Sequence, residues 1–220
     1  MGVRIASGEV IAFLDADCLP EKDWLEQGLN AAQASPPKTL IGGEVQLTLS
    51  EKPTAIELYQ CLTGFEHQYN IEQLSFSATA NLFVKREQLL LIGEFNENLL
   101  SGGDREWAWR ARALGFNIKF FPSAQVTTTP RKSLGAAIKQ ARRIAGGRYH
   151  FRKLSVADSP WDETGLAPRR GAWKATWWLL THADLSLKDR SRVFSVAVTL
   201  KLVQIIETIR LKKGASPERC

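Results

Sequence analysis

The chain has 220 residues, 44% of them hydrophobic and 24% charged, an ordinary globular composition long enough to bury one substantial core. Its net charge of +6 conceals a split that excludes a neutral, inert tail: residues 1–130 carry 10 Lys and Arg against 16 Asp and Glu, and residues 131–220 carry 19 against 7. Cys18, Cys61 and Cys220 are far apart and form no C-x-x-C pair, which excludes a disulfide framework and a zinc site of the usual spacing and suits a reducing cytosol.

Val10 to Leu14 is a short, unbroken apolar run, the pattern of a strand buried on both faces in a parallel sheet. It stops at Asp15-Ala16-Asp17. Pro20, Glu21 and Asp23 supply helix-start chemistry, and Leu25, Leu29 and Ala32 recur at helical spacing until Ser35-Pro36-Pro37 breaks the run. A second strand is predicted over residues 40–47, a helix over 54–70, an extended stretch over 76–84 and a short helix over 86–92. An amphipathic helix then begins near Asp104, with Trp107, Ala111 and Leu114 on one face and Gly115 as its cap. Residues 116–121 form the last predicted strand. Strands alternating with helices predict an α/β fold with a mixed, mainly parallel sheet.

Beyond Pro130 the pattern is helical and basic. One helix is predicted over residues 133–153, interrupted at Gly146-Gly147, and another over 193–211, with a loop rich in Pro, Gly and Arg over 158–171. In the last helix Phe194, Val198, Leu202, Ile205, Ile206 and Ile209 make one apolar stripe, which predicts a face packed on the core or, as the alternative, one lying on a membrane. Lys201 in its middle leaves too short an uncharged run for the roughly 20 apolar residues of a membrane span. The segment Ala172-Trp173-Lys174, with Trp177 and Trp178, suits a headgroup layer instead.

Asp15 and Asp17 stand where a buried strand runs out, the place where open α/β sheets put ligands. Two carboxylates one residue apart suit a hard cation, Mg²⁺ or Mn²⁺, that keeps positions open for diphosphate oxygens; the bland alternative is a solvated turn. Asp104 and Glu106 at a helix start have two readings as well. They complement the helix dipole, or Asp104 is a general base, with Gly102 and Gly103 allowing an acceptor to approach.

In this order the segments resemble the family-2 glycosyltransferases of the A-type fold. Residues 8–20 are similar to that family's metal-binding strand and turn. Ala78-Thr79-Ala80-Asn81, Lys85-Arg86-Glu87 and Gly93-Glu94-Phe95-Asn96-Glu97 are similar to its acceptor side. Asp104 with Glu106, Trp107, Arg110 and Gly115 matches the element that carries its base. The resemblance implies an inverting, metal-assisted transfer of a sugar from a nucleotide-sugar donor to a saccharide or lipid-linked acceptor, in cell-surface polysaccharide or glycolipid synthesis. Asp15 and Asp17 would hold metal and nucleotide, Asp104 would be the base, and Asn81, Gly102, Gly103, Glu106, Trp107 and Arg110 would lie on the acceptor side.

Gln140-Ala141-Arg142-Arg143-Ile144 partly resembles the Q-x-x-R-W element of processive members, with Ile144 in place of Trp; it adds Gln140 and Arg143 as acceptor or diphosphate contacts, or else they are a solvated helix face. Gly103 stands where the family has Glu before the base. The family pattern also starts upstream of Met1, so the resemblance implies an incomplete A-type domain over residues 1–130, a basic helical extension over 131–220, and little turnover. The chain is expected in the cytoplasm, peripheral on the inner face of the plasma membrane, and without nucleic-acid contacts, since no recognised module accompanies the charge. The competing expectation is a non-catalytic module whose basic helices hold an anionic membrane or glycan.

Overall fold

In the computed structural model the described residues are 2–64, 66–99, 101–151 and 185–217. The predicted loop over 158–171 and the Trp-rich segment over 172–180 lie outside them. After a single helical turn, α1 (Gly2–Ile5), the apolar run forms β1 (Val10–Leu14), which is an edge strand with only Ile11 buried rather than a strand covered on both faces, followed by β2 (Cys18–Pro20) and α2 (Trp24–Ala34). Then come β3 (Thr39–Leu47), α3 (Ala55–Thr63), α4 (His67–Leu74), β4 (Asn81–Lys85), α5 (Arg86–Ile92), α6 (Gly103–Ala113) and β5 (Asn117–Thr128). Beyond Pro130 the described elements are helical: α7 (Leu134–Phe151) and α8 (Leu187–Lys212).

The sheet has the order β1-β4-β3-β5-β2 and is mixed. It differs from expectation in not being mainly parallel: β3 and β5 are parallel, and the other three ladders are antiparallel. The physical reason is β4. β1, β3 and β5 share one direction, as crossover helices require, but β4 returns between β1 and β3 and pairs antiparallel with both. The carboxyl ends of β1 and β3 and the head of β4 therefore meet at one end of the sheet.

Two cores flank the sheet. Trp24, Ala31 and Ala32 of α2 pack on Ile41, Val45, Phe83 and Val126 on one face. Leu89 and Ile92 of α5 with Trp107 and Ala111 of α6 pack on Ile11, Leu40, Leu82 and Val84 on the other. β5 runs seven residues past the predicted end, because Pro122 lies in a register break: Gly43 faces Phe121, Glu44 faces Gln125, and residues 122–124 bulge between them. A proline there forfeits no ladder hydrogen bond, and the strand resumes after it.

The predicted break at Gly146-Gly147 is absent; α7 continues through both glycines. α7 and α8 form a further layer in which Ala137, Ala141 and Leu200 are buried among Ile56, Tyr59, Val196 and Val203. The stripe predicted to face the core does not: Phe194, Val198, Leu202, Ile205, Ile206 and Ile209 are 38% to 64% exposed, and α8 packs through Val193, Leu200 and Leu211 instead. Among the described residues no helix is long and apolar enough to cross a membrane.

Candidate active site

Residues 15–17 cross the carboxyl end of the sheet, leaving β1 at one edge and entering β2 at the other. The turn is tied at three points. The Cys18 N–H donates to the Asp15 carbonyl at 3.0 Å, the Thr128 hydroxyl donates to the Asp17 carbonyl at 3.0 Å, and Cys18 pairs with Thr128 in the β2–β5 ladder. Both residues are exposed along the turn, although the Asp15 carboxyl is partly shielded from water.

α6 leads into β5 at the opposite end of the sheet, so its first turn, with Asp104, lies at the end where Asp15 stands. Burial raises the Asp104 carboxyl above the ordinary aspartate range. The Arg105 N–H, 2.8 Å from Asp104 Oδ1, offsets part of this, and the charge of Asp15 adds to the rise. Asp15 is raised too, by loss of water and then by Asp17, while Arg143 of α7 pulls it back. Asp15, Asp17, Asp104 and Arg143 thus share one electrostatic neighbourhood.

Packing holds these parts in place. Phe13, two residues before Asp15, meets Phe95 edge-on at 5.5 Å between ring centroids, and Phe95 stacks on Trp107 at 5.0 Å. The Trp107 indole donates to the Gly93 carbonyl at 2.7 Å. This aromatic bridge joins the end of β1 to α6. From the other side, α7 presses on the turn before Asp104: a Cβ on Gly147 would lie 2.7 Å from the Ser101 carbonyl oxygen, and one on Gly102 would lie 2.8 Å from the Phe151 ring. Gly102 is in the left-handed region at φ +82°, as the residue before α6.

The remaining sequence candidates divide. Asn81 is fully buried, accepting from Trp24 Nε1 at 2.9 Å and donating to the carbonyls of Glu44 and Ala124 at 2.8 Å each, so it ties α2, β3 and β5 together rather than facing an acceptor. Glu106 and Trp107 are turned inward, and Arg110 donates to Glu106 at 2.6 Å and to the carbonyls of Ile92 and Glu94. Gly102 opens onto Phe151, not onto an acceptor, whereas a Cβ on Gly103 would meet nothing nearer than the Asn96 carbonyl oxygen at 3.9 Å. Gln140 accepts from Gln60 Nε2 at 3.1 Å, in the contact between α7 and α3.

Sequence reasoning missed three supports: the Phe95 link, the Gly147 contact and His67. The buried His67 ring bonds the Gly43 carbonyl through Nδ1 and accepts from the Ala78 N–H at 3.0 Å through Nε2. Burial lowers its pKa to about 4, so it is a neutral strut. Its short-range sequence carries no sign of this. A cavity of about 640 Å³ opens beside it at the end of β3, lined by Glu44, Gln46, Glu66, Tyr69 and Glu72 among others, and the described residues of its wall include no Lys or Arg. Phe13 and Gly42 both stand opposite Leu82, so Asp15 and Glu44, two residues further on, are level across the head of β4.

The donor chemistry fits a divalent cation with an open coordination sphere. Among the described residues no group of three or more His, Cys, Asp and Glu is placed to hold a metal ion, so the pair Asp15 and Asp17 is the donor set, and the repulsion between them is what a cation would relieve.

Comparison with known proteins points the same way. Residues 1–147 match the family described as glycosyltransferase like family 2. Glycosyltransferase AglE of Haloferax volcanii is 32% identical over 147 residues, covering 67% of this chain and 48% of that protein. A glucosyl-dolichyl phosphate glucuronosyltransferase of the same organism is 26% identical over 109 residues, 47% of this chain and 35% of its own. The chain thus spans about half the length of AglE, or less of the other relative. Among solved structures, mannosyltransferase PcManGT from Pyrobaculum calidifontis, in complex with GDP-Man and Mn²⁺, has a similar fold with a TM-score of 0.57 at 17% identity, covering 97% of this chain and 65% of that one.

Proposed function

The chain belongs to the glycosyltransferase-like family 2, and on that premise we propose that it transfers a sugar from a nucleotide-sugar donor to a hydroxyl acceptor by single displacement, with inversion at the anomeric carbon. The observation that carries this reading is the electrostatic coupling of Asp15 with Asp104 and with Arg143, which stand on the turn after β1, on α6 and on α7. Asp104 takes the proton of the attacking hydroxyl. Its raised carboxyl suits a base, which must hold that proton as the new glycosidic bond forms. Asp15 and Asp17 would hold Mg²⁺ or Mn²⁺, and the bound cation would supply charge to neutralise the departing diphosphate. Arg143 adds a cation beside the same oxygens, and Gly103 leaves room for the acceptor.

The cavity level with Asp15 suits the body of the acceptor. Carboxylate and amide groups with an aromatic ring bind sugar hydroxyls. A lipid-linked or free saccharide in cell-surface polysaccharide or glycolipid synthesis fits, with the chain working at the cytoplasmic face of a membrane. One relative bears this chemistry in its name, the glucuronosyltransferase with its glucosyl-dolichyl phosphate.

Thermal unfolding with Mn²⁺ and either GDP or UDP tests the reading. A stabilisation that needs both metal and nucleotide and is lost in Asp17→Ala is expected. A shift that survives Asp17→Ala contradicts the metal role.

A further inference from the structure

Helix α8 carries two apolar faces, and the fold uses one. Val193, Leu200 and Leu211 are buried, and Val196 and Val203 pack with Ala137 and Ala141 of α7. At 3.6 residues per turn, Phe194, Val198, Leu202, Ile205, Ile206 and Ile209 lie on the opposite side of the helix, all exposed. Isolated exposed apolar side chains are ordinary, but six in one continuous stripe mark a surface that meets something.

The charges around the stripe say what it meets. Residues 187–213 hold seven Lys and Arg against two carboxylates, Asp189 and Glu207. Both carboxylates lie on the α7 side of the wheel, and each pairs with an Arg of the same helix: Asp189 with Arg192 at 3.0 Å and Glu207 with Arg210 at 2.7 Å. On the outer side, Arg190 and Lys201 follow one margin of the stripe, and Lys188, Lys212 and Lys213 stand at its two ends. An outer face that is apolar along its middle, basic at its borders and without acid matches a helix lying in the interface of an anionic bilayer. A second copy of the chain is a poorer match, because pairing two such faces would set the Lys201 and Lys212 charges of each against the other.

We propose that the outer face of α8 docks the protein onto an anionic lipid surface, with the six apolar side chains in the acyl boundary and the Lys and Arg side chains among the headgroups. This gives the membrane contact of the proposed function its residues, and it stands or falls independently of sugar transfer. α7 lies between the two: its Ala137 and Ala141 side packs on α8, and its Arg143 and Gly147 side meets the carboxylates and the Ser101 turn. The transfer site is then one helix layer from the lipid.

Flotation of the 220-residue protein with vesicles tests this, using phosphatidylcholine alone and phosphatidylcholine mixed with phosphatidylglycerol. Binding to the mixed vesicles is expected to exceed binding to phosphatidylcholine by about tenfold or more and to weaken with salt. The pair Leu202→Ser with Ile206→Ser should abolish it, and Lys201→Glu should weaken it several-fold, while the far-ultraviolet spectrum and unfolding midpoint stay near those of the parent. Equal binding by the parent and the Ser pair, or no preference for the anionic vesicles, overturns the proposal. So does a concentration-dependent dimer in sedimentation that the Ser pair dissolves, which would assign the face to a second copy. The nucleotide-dependent thermal shift, measured on the same variants, reports on the carboxylate site alone, so loss of one property with retention of the other shows which reading has failed.

Discussion

The two amphipathic helices α6 and α8 carry the same kind of apolar pattern and end in opposite circumstances. On α6, Trp107, Ala108 and Ala111 disappear into the core, and the charged Glu106 and Arg110 are held inward by each other. On α8 the more conspicuous stripe stays outside, and the buried face is made of the less regular set Val193, Leu200, Glu207 and Leu211. The difference is that α6 has a sheet to cover, whereas α8 lies on α7, a helix whose contact side is made of alanines and takes only a narrow seam. An apolar stripe says that a helix meets something apolar; whether that is the protein's own core depends on how much uncovered surface the neighbouring element offers.

Substitutions can break or sharpen that contrast. Trp107→Ala removes a ring that is 1% exposed, its stack on Phe95 and its bond to Gly93, and should cost about 3–5 kcal/mol in denaturant unfolding. Gly147→Ala drives a methyl group to 2.7 Å from the Ser101 carbonyl oxygen, and a strain of about 1–3 kcal/mol is expected in the same assay, with sugar transfer falling as the turn before Asp104 shifts.

His67 sets a pH dependence. Its folded pKa of about 4 lies below the unfolded value, so the unfolded chain takes up a proton first, and stability is full above the unfolded pKa and falls as pH drops toward 4. Between pH 7 and 5 the loss should be about 2 kcal/mol, and His67→Gln should flatten that slope. Smallest of all, Ile206→Ser on the outer face of α8 should change folding stability by no more than about 0.5 kcal/mol, since the side chain is 64% exposed. A large loss there would mean that the stripe is core after all.

What could be read in advance follows the same physics. β1 and the Asp15-Ala16-Asp17 turn were legible because an unbroken apolar run ending in two acids is a local signal. β2 was not, since three residues have no period and the strand exists only because Thr128 pairs with Cys18. The antiparallel return of β4 and the continuation of β5 past Pro122 depend on register between distant segments. Within the family-like motifs, residue matches did not separate a site position from a structural one: the Asp15 charge acts on the Asp104 carboxyl, whereas Asn81, Glu106, Trp107 and Arg110 bond within the frame on which Asp104 stands. Arg143, weighed against a plain solvated face, is the one member of its element whose charge reaches Asp15.

The central claim is that the carboxylates of β1 and α6 form one site with divided labour, and Asp104→Asn tests it most directly. Nucleotide-sugar binding in Mn²⁺, followed by calorimetry, should stay within a few-fold of the parent, while transfer to a saccharide acceptor should fall about 10²–10⁴-fold. Undiminished transfer by Asp104→Asn, or loss of donor binding together with transfer, would contradict the assignment of the base.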